Sequence, residues 1–311
     1  MLDFTQPTMG GGGTSIEEFL GAEVLGHPVV VNSKIGVDDR IRLDTPITLV
    51  ELDSAVSSSR TSSASGPDGM NYGFIKKFWL YLRQPLFKYA NLCFQKGELT
   101  ESFKTASIRL IPKKGDATKI KNWRPISLLN CIYKILSKAI NTRLQSVTDI
   151  ITSRAQKGFT SSRFIQEVLI NLVEYISHCN TNGIPAIVLA LDQSKAFDSI
   201  HHSYLKEVYK FFGMGENFIR MLSTVTEGRN AYILYDDGGS STSFPLETGA
   251  PQGNPPSPVQ YNFGEQILLL KIELDPRIAS VFNHLFIPRQ IPPLAINDAR
   301  LGGGALWRDP A

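Results

Sequence analysis

Cysteine is scarce. The 311 residues carry three, Cys93, Cys131 and Cys179, far apart and in no C-x-x-C spacing. That excludes a disulfide framework and a zinc ribbon and suits a reducing, intracellular compartment. No apolar run approaches the roughly 20 residues of a membrane-spanning helix. The first fourteen residues lack a basic stretch followed by an apolar one, so neither a secretory leader nor a membrane partner is expected. Internal repeats are absent, which excludes solenoids and propellers. What remains is ordinary: 42% hydrophobic, 20% charged and 10% aromatic residues. Such a chain can bury a core as one large domain or two smaller ones.

The net charge of +3 hides an asymmetry. Residues 74–163 hold 18 Lys and Arg against 4 Asp and Glu, a balance of +14, while 1–73 stand at −6 and 164–311 at −5. A basic block in an otherwise mildly acidic chain suits a phosphate-rich partner. Tyr72, Phe74, Phe78, Trp79, Tyr81, Phe87, Tyr89 and Phe94 interleave with its first part, as in proteins that track a strand and stack bases. Amphipathic helices with wet basic faces would give the same composition.

Residues 1–45 carry weak signals and read as a poorly structured segment, with Val29–Val31 as a possible short strand. Ile47–Val56 suits a helix, and Gly66-Pro67-Asp68-Gly69 a tight turn. Apolar spacing predicts helices over 72–95, over 129–144 through Leu129, Ile132, Tyr133, Leu136, Ile140 and Leu144, and over 164–178. Ser107–Ile111 and the return arm Trp123-Arg124-Pro125 flank a basic turn. Ile184–Leu191 is nearly all apolar and predicts a central strand buried on both faces. Helices are expected over 203–212, 216–227 and 257–274, with a hairpin between 231 and 247. After 288 periodicity dissolves into an irregular tail. The sum is an α+β or mixed fold.

Three segments could carry chemistry. In Asp192-Gln193-Ser194-Lys195-Ala196-Phe197-Asp198 a carboxylate leaves a buried strand, where a hard cation such as Mg²⁺ would offset its desolvation; capping the next helix is the competing role. In Thr248–Pro258, Gly253 lets backbone approach a ligand closely and Gln252 supplies an amide beside it; a rigid lead-in to a helix reads the same. Lys113 and Lys114, with Arg124 on the return arm, could clamp a triphosphate; a solvated basic hairpin is the competing reading.

Together these strings resemble the reverse-transcriptase domain of non-LTR (LINE-type) retrotransposons. Gly66-Pro67-Asp68-Gly69 is similar to that family's opening motif. Leu110–Lys113 through Asn122–Leu129, with Tyr133-Lys134, resembles its fingers motif nearly residue for residue. Gln156-Lys157-Gly158-Phe159 with Arg163, Asp192-x-x-Lys195-Ala196-Phe197-Asp198, and Gly249-x-x-Gln252-Gly253-x-Pro255-x-Ser257-Pro258 match three further blocks in order. Group II intron maturases are the nearest other family. The resemblance covers residues 46–287. It implies a right-hand polymerase with basic fingers over 46–183 and a partial palm with a small, incomplete antiparallel sheet over 184–287. It implies an RNA template, a DNA primer and dNTPs as partners. Asp192 would hold Mg²⁺ as the catalytic ligand. Lys113, Lys114, Arg124, Phe197, Gln252 and Gly253 would form the nucleotide site, with Phe197 as a gate under the sugar. Lys134, Lys138, Arg143, Lys157 and Arg163 would face nucleic acid. The oligomeric state is left open.

The pattern is broken in two places: the Gln-Gly loop carries Asn254 and Pro256, where the family more often has Asp and Leu, and a later motif is missing. The family's Phe/Tyr-x-Asp-Asp hairpin does not follow Gln252. Tyr235-Asp236-Asp237 precedes it, and Asn297-Asp298 is a remote substitute. Two-metal phosphoryl transfer needs clustered carboxylates. The expectation is therefore a truncated element with impaired catalysis, or a non-catalytic nucleic-acid-binding remnant.

Overall fold

The computed structural model describes residues 15–275 except 162, 187, 189, 191, 192, 194 and 195. Four short helices open it: α1 (Ile16–Leu20), α2 (Ala22–Leu25), α3 (Pro28–Asn32) and α4 (Val37–Asp44). Here the expectation of a poorly structured 1–45 fails for 16–44, and Val29–Val31 is helical. Elements of four to eight residues show little periodicity in sequence and are stabilised by tertiary packing. Ser15 and Glu18 close a capping box on α1. Leu20, Val24, Val30 and Leu43 are buried. The Ile35 amide donates to the Phe212 carbonyl at 2.9 Å, Lys271 Nζ to the Leu20 carbonyl at 3.0 Å, and the Phe218 amide to Asp44 at 2.8 Å.

α5 (Leu49–Ser57), α6 (Tyr72–Lys77), α7 (Trp79–Lys96) and α8 (Glu101–Lys104) lead to the hairpin β1 (Thr105–Pro112) and β2 (Trp123–Leu128). Then come α9 (Cys131–Gln145), α10 (Thr148–Ile151) and α11 (Gln166–Thr181). The last elements are α12 (His202–Phe211), α13 (Glu216–Thr226), β3 (Arg229–Ile233), β4 (Phe244–Leu246) and α14 (Ser257–Leu274). α9 is the central helix: Tyr133, Ile135, Leu136, Ile140 and Leu144 are fully buried, and it packs on α5, α13 and α14.

The sheet runs β2-β1-β3-β4. β1 pairs β2 antiparallel and β3 pairs β4 antiparallel, but β1 and β3 run parallel from Thr105↔Asn230 to Ile108↔Ile233. The expected antiparallel sheet is thus a mixed one. Parallel neighbours need a long crossover, and the helices from α9 to α13 supply it. The predicted strand at 184–191 is not found among its described members. Ile184, Pro185, Ala186, Val188 and Ala190 lie outside any strand, and Ile184 and Val188 are exposed. α11 is helical as its spacing predicts, yet Leu169 and Val173 on it, and Phe164 and Ile165 just before it, are exposed. No helix among the described residues is long and apolar enough to cross a membrane. The tail beyond 275, with Asn297-Asp298, lies outside the described residues.

Candidate nucleotide and nucleic-acid site

The β1–β2 hairpin sets the basic side chains. Arg124 pairs with Ile111 across the ladder, and the Lys113 amide donates to the Asn122 carbonyl at 2.7 Å, extending it by one residue. Alternation then puts Arg109, Ile111, Lys113 and Arg124 on one face. Arg109 reaches Asp236 at 3.1 Å. Lys113, Lys114 and Arg124 are exposed. They form no ion pair among the described residues, so three cations stand free at one end of the sheet.

The outer edge of β2 receives the Gly/Pro-rich loop. The Ser127 amide donates to the Gln252 carbonyl at 3.2 Å. A Cβ on Gly253 would stand 2.9 Å from the Ser127 carbonyl, and φ at Gly253 is +107°. Only glycine fits this approach. The other side of the loop is tied to the Phe197–Ile200 stretch. The Ala250 amide donates to the Phe197 carbonyl at 2.8 Å and the Gly249 amide to that of Ile200 at 2.9 Å. His202 Nε2 is 2.9 Å from the Gly249 carbonyl. Phe197 itself lies against Tyr261 (ring centroids 5.1 Å) and edge-on to Phe159 (6.3 Å). Phe159 is held by its neighbours. Asn262 Nδ2 donates to the Gly158 carbonyl at 2.7 Å, and Gln156 Nε2 to Asn262 and Glu265 at 3.3 and 3.2 Å. Burial pushes the Glu265 carboxyl up, against the lowering bond from Gln156.

The Gly66–Gly69 turn sits at the start of α9. A Cβ on Gly66 would fall 2.3 Å from the Asn130 amide nitrogen. The Asp68 amide donates to Asn130 Oδ1 at 3.2 Å, and Asn130 Nδ2 to the Ser102 carbonyl at 2.8 Å. Strings far apart in sequence (66–69, 124–130, 156–159, 197–200 and 249–253) are therefore joined by direct contacts around β2 and α9.

The five cations expected to face nucleic acid divide differently. Arg143 is buried. It donates to Glu51 and to the carbonyls of Leu43, Thr45 and Pro46. Arg163 donates to Asp149 and to the carbonyls of Ser153, Gln156 and Thr152. Both guanidinium groups are consumed inside the fold, which corrects their assignment to nucleic acid. Lys157 pairs with Glu167. Lys134 Nζ donates to the Ala64 carbonyl at 3.0 Å and lies 5.4 Å from the Tyr72 ring centre. Lys138 reaches Ser59 at 3.4 Å. Burial, and then the Lys76 charge, push the Lys138 ammonium down. Lys134 and Lys138 thus tether the Ser-rich 57–65 loop. Sequence reasoning did not single out Tyr261 or Asn130. Tyr261 looks like any core aromatic of a helix, whereas Asn130 sits at a helix start that a capping search could have flagged.

Residues 111–282 match the family described as reverse transcriptase (RNA-dependent DNA polymerase). The chain belongs to that family. Among similar proteins is the Transposon TX1 uncharacterized 149 kDa protein of Xenopus laevis, 37% identical over 59% of this chain and 14% of its own length. The Pol polyprotein from the type-1 retrotransposable element R2 of Popillia japonica is 27% identical over 81% of this chain and 34% of its own. The RNA-directed DNA polymerase from mobile element jockey of Drosophila melanogaster is 26% identical over 70% and 24%. The chain spans about a third or less of the length of these curated relatives. It is a reverse-transcriptase domain of the non-LTR retrotransposon kind.

The family binds RNA template, primer and dNTPs and uses divalent metal ions. Asp192, like Lys195, lies outside the described residues. Among the described residues no group of three or more His, Cys, Asp or Glu is placed to hold a metal. Asp198 is exposed, and its carbonyl accepts from Thr248 at 3.2 Å. Asp236 and Asp237 cap the β3–β4 tip, Asp236 on Arg109 and Asp237 on the Gly239 amide. The described carboxylates therefore do not fit a two-metal centre.

Proposed function

We propose that this chain is the template- and nucleotide-gripping part of an RNA-directed DNA polymerase, with weak catalysis of its own. Residues 46–183 act as fingers and 184–287 as a partial palm. Lys113, Lys114 and Arg124 take the triphosphate, each as an exposed cation with no carboxylate paired to it among the described residues. Gln252 and Gly253 line the base pair. The Gln252 carbonyl is spent on Ser127, but its side-chain amide has no described partner and is free to bond a ligand. Phe197 forms a rigid wall under the sugar because Phe159 and Tyr261 fix its ring. Asp192 is assigned to Mg²⁺ on its sequence string alone. The observation that carries the reading is the seam between Ser127 and Gln252: it joins the strand bearing Arg124 to the loop bearing Gly253, so phosphate-binding and base-lining groups share one rigid edge.

A second reading, a domain that holds nucleic acid without polymerising, is favoured by one observation. Among the described residues no group of three or more His, Cys, Asp or Glu is placed to hold a metal, and two dications need clustered carboxylates. Primer extension on poly-rA separates the two. Weak incorporation that Asp192→Ala abolishes supports the polymerase. Incorporation equal to that variant, with template binding that weakens as salt rises, leaves the binding domain. Binding indifferent to salt removes both.

A further inference from the structure

α13 ends, β3 begins and α14 starts around one buried polar knot. Arg229 is 2% exposed and forms no ion pair with a described carboxylate. Glu227, two residues away, is held by Lys206 at 2.8 Å. The Arg229 guanidinium lies 4.8 Å from the Tyr133 ring centre, and Nη1 donates to Tyr133 Oη at 3.0 Å. Tyr133 Oη donates in turn to the Val225 carbonyl. The same carbonyl accepts from Asn254 Nδ2 at 3.4 Å. Arg229 Nε and Nη2, Asn254 Oδ1 and Ser257 Oγ are buried without a hydrogen-bond partner among the described residues.

An arginine keeps its charge in proteins, and a buried charge with idle N–H groups is strongly unfavourable. Orphaned donors and an orphaned amide oxygen linked through one carbonyl are what a buried water needs, since such waters take two to four polar partners. We propose that Arg229 is a positioning residue for the Gln252–Gly253 loop, its free N–H groups reaching Asn254 Oδ1 through buried water. Asn254 transmits this to the loop. Its amide donates to the Pro251 carbonyl at 3.1 Å, and its carbonyl accepts from the Ser257 amide at 3.2 Å, so the turn carrying Gln252 and Gly253 is fixed with it. The coupling of Arg229 to Asn254 stands on geometry alone. Its consequence for nucleotide affinity rests on the proposed function above.

The test is a double-mutant cycle in the full chain with Asn254→Asp and Arg229→Met, read by thermal melting at pH 7 and by mant-dATP anisotropy. A carboxylate at 254 gives Arg229 a partner. It should raise the melting temperature by about 3 °C or more with Arg229 present, and lower it in the Arg229→Met background. The same sign in both backgrounds overturns the coupling. Should Arg229→Met fail to fold, the gain from Asn254→Asp must vanish as acid protonates the new carboxylate; no gain, or a gain indifferent to pH, overturns it. Arg229→Met should also weaken mant-dATP binding about tenfold, well below its melting temperature. Unchanged affinity overturns the positioning role. A wild-type chain that binds no mant-dATP overturns the nucleotide reading and leaves the cycle valid.

Discussion

Replacing Arg143 by Met removes the most heavily hydrogen-bonded cation among the described residues. Its guanidinium meets both oxygens of Glu51 and the carbonyls of Leu43, Thr45 and Pro46. The Arg143 side chain is 7% exposed and that of Glu51 22%. Breaking a buried pair from one side costs about 3–5 kcal/mol, and the partial exposure of Glu51 places this case near the lower end. At roughly 2–4 °C per kcal/mol for a domain of this size, the melting temperature falls by about 10 °C. Urea unfolding followed by circular dichroism measures the loss. Its pH dependence has a definite sign. Burial raises the Glu51 carboxyl, but the bonds from Arg143 and Thr48 outweigh it and hold the group below its ordinary 4.5. A carboxyl lowered in the fold contributes stability above its unfolded value and loses it as pH drops through the folded one. The gap between wild type and Arg143→Met should therefore be full at pH 7 and shrink in acid below about pH 4. A loss under about 1 kcal/mol, within the range of a surface pair, would refute the buried-pair reasoning. So would a fall in the salt slope of RNA binding, because a structural arginine releases no counterions.

The exposed cations should behave oppositely. Lys113→Ala, Lys114→Ala and Arg124→Ala should leave melting within about 0.5 kcal/mol of wild type. Each should lower the salt slope of single-strand binding by roughly 0.7, and unchanged slopes in all three would reject the hairpin as the phosphate surface. Gly253→Ala, at φ +107° and 2.9 Å from the Ser127 carbonyl, should destabilise by about 2 kcal/mol; a neutral melt would show that the loop does not seat on β2 in solution. Gly66→Ala drives a methyl into the Asn130 backbone and should melt lower by several degrees, with Asp68→Ala, which keeps the backbone contact to Asn130, much milder.

The legible part of the fold was the part with long periodic runs. α9 and α14 follow from apolar spacing and from Ser257-Pro258, and the β1–β2 hairpin follows from its basic turn. α1 to α4 stayed hidden because elements this short are held by Leu20, Val24 and Leu43 packing on distant helices. The parallel β1–β3 register was invisible for a similar reason: nothing local in Thr105–Ile108 names a partner 125 residues away. Of the site, the sequence strings named segments that meet in the fold, Gln252 on Ser127 and Ala250 on Phe197, since glycine and proline dictate backbone course. Charge alone misassigned Arg143 and Arg163. A basic residue reads the same in sequence whether its fork meets solvent or three carbonyls.

The β1–β3 pairing has a kinetic consequence. Its contacts join residues 105 and 230, so the whole helical crossover must be gathered before the centre of the sheet can zip up. Loop closure on that scale is paid before any strand contact rewards it, and such topologies fold slowly. A nascent chain that has emerged only as far as α13 carries β1–β2 as an isolated ribbon with its inner edge bare, and that edge is the place where a second ribbon would add in an aggregate.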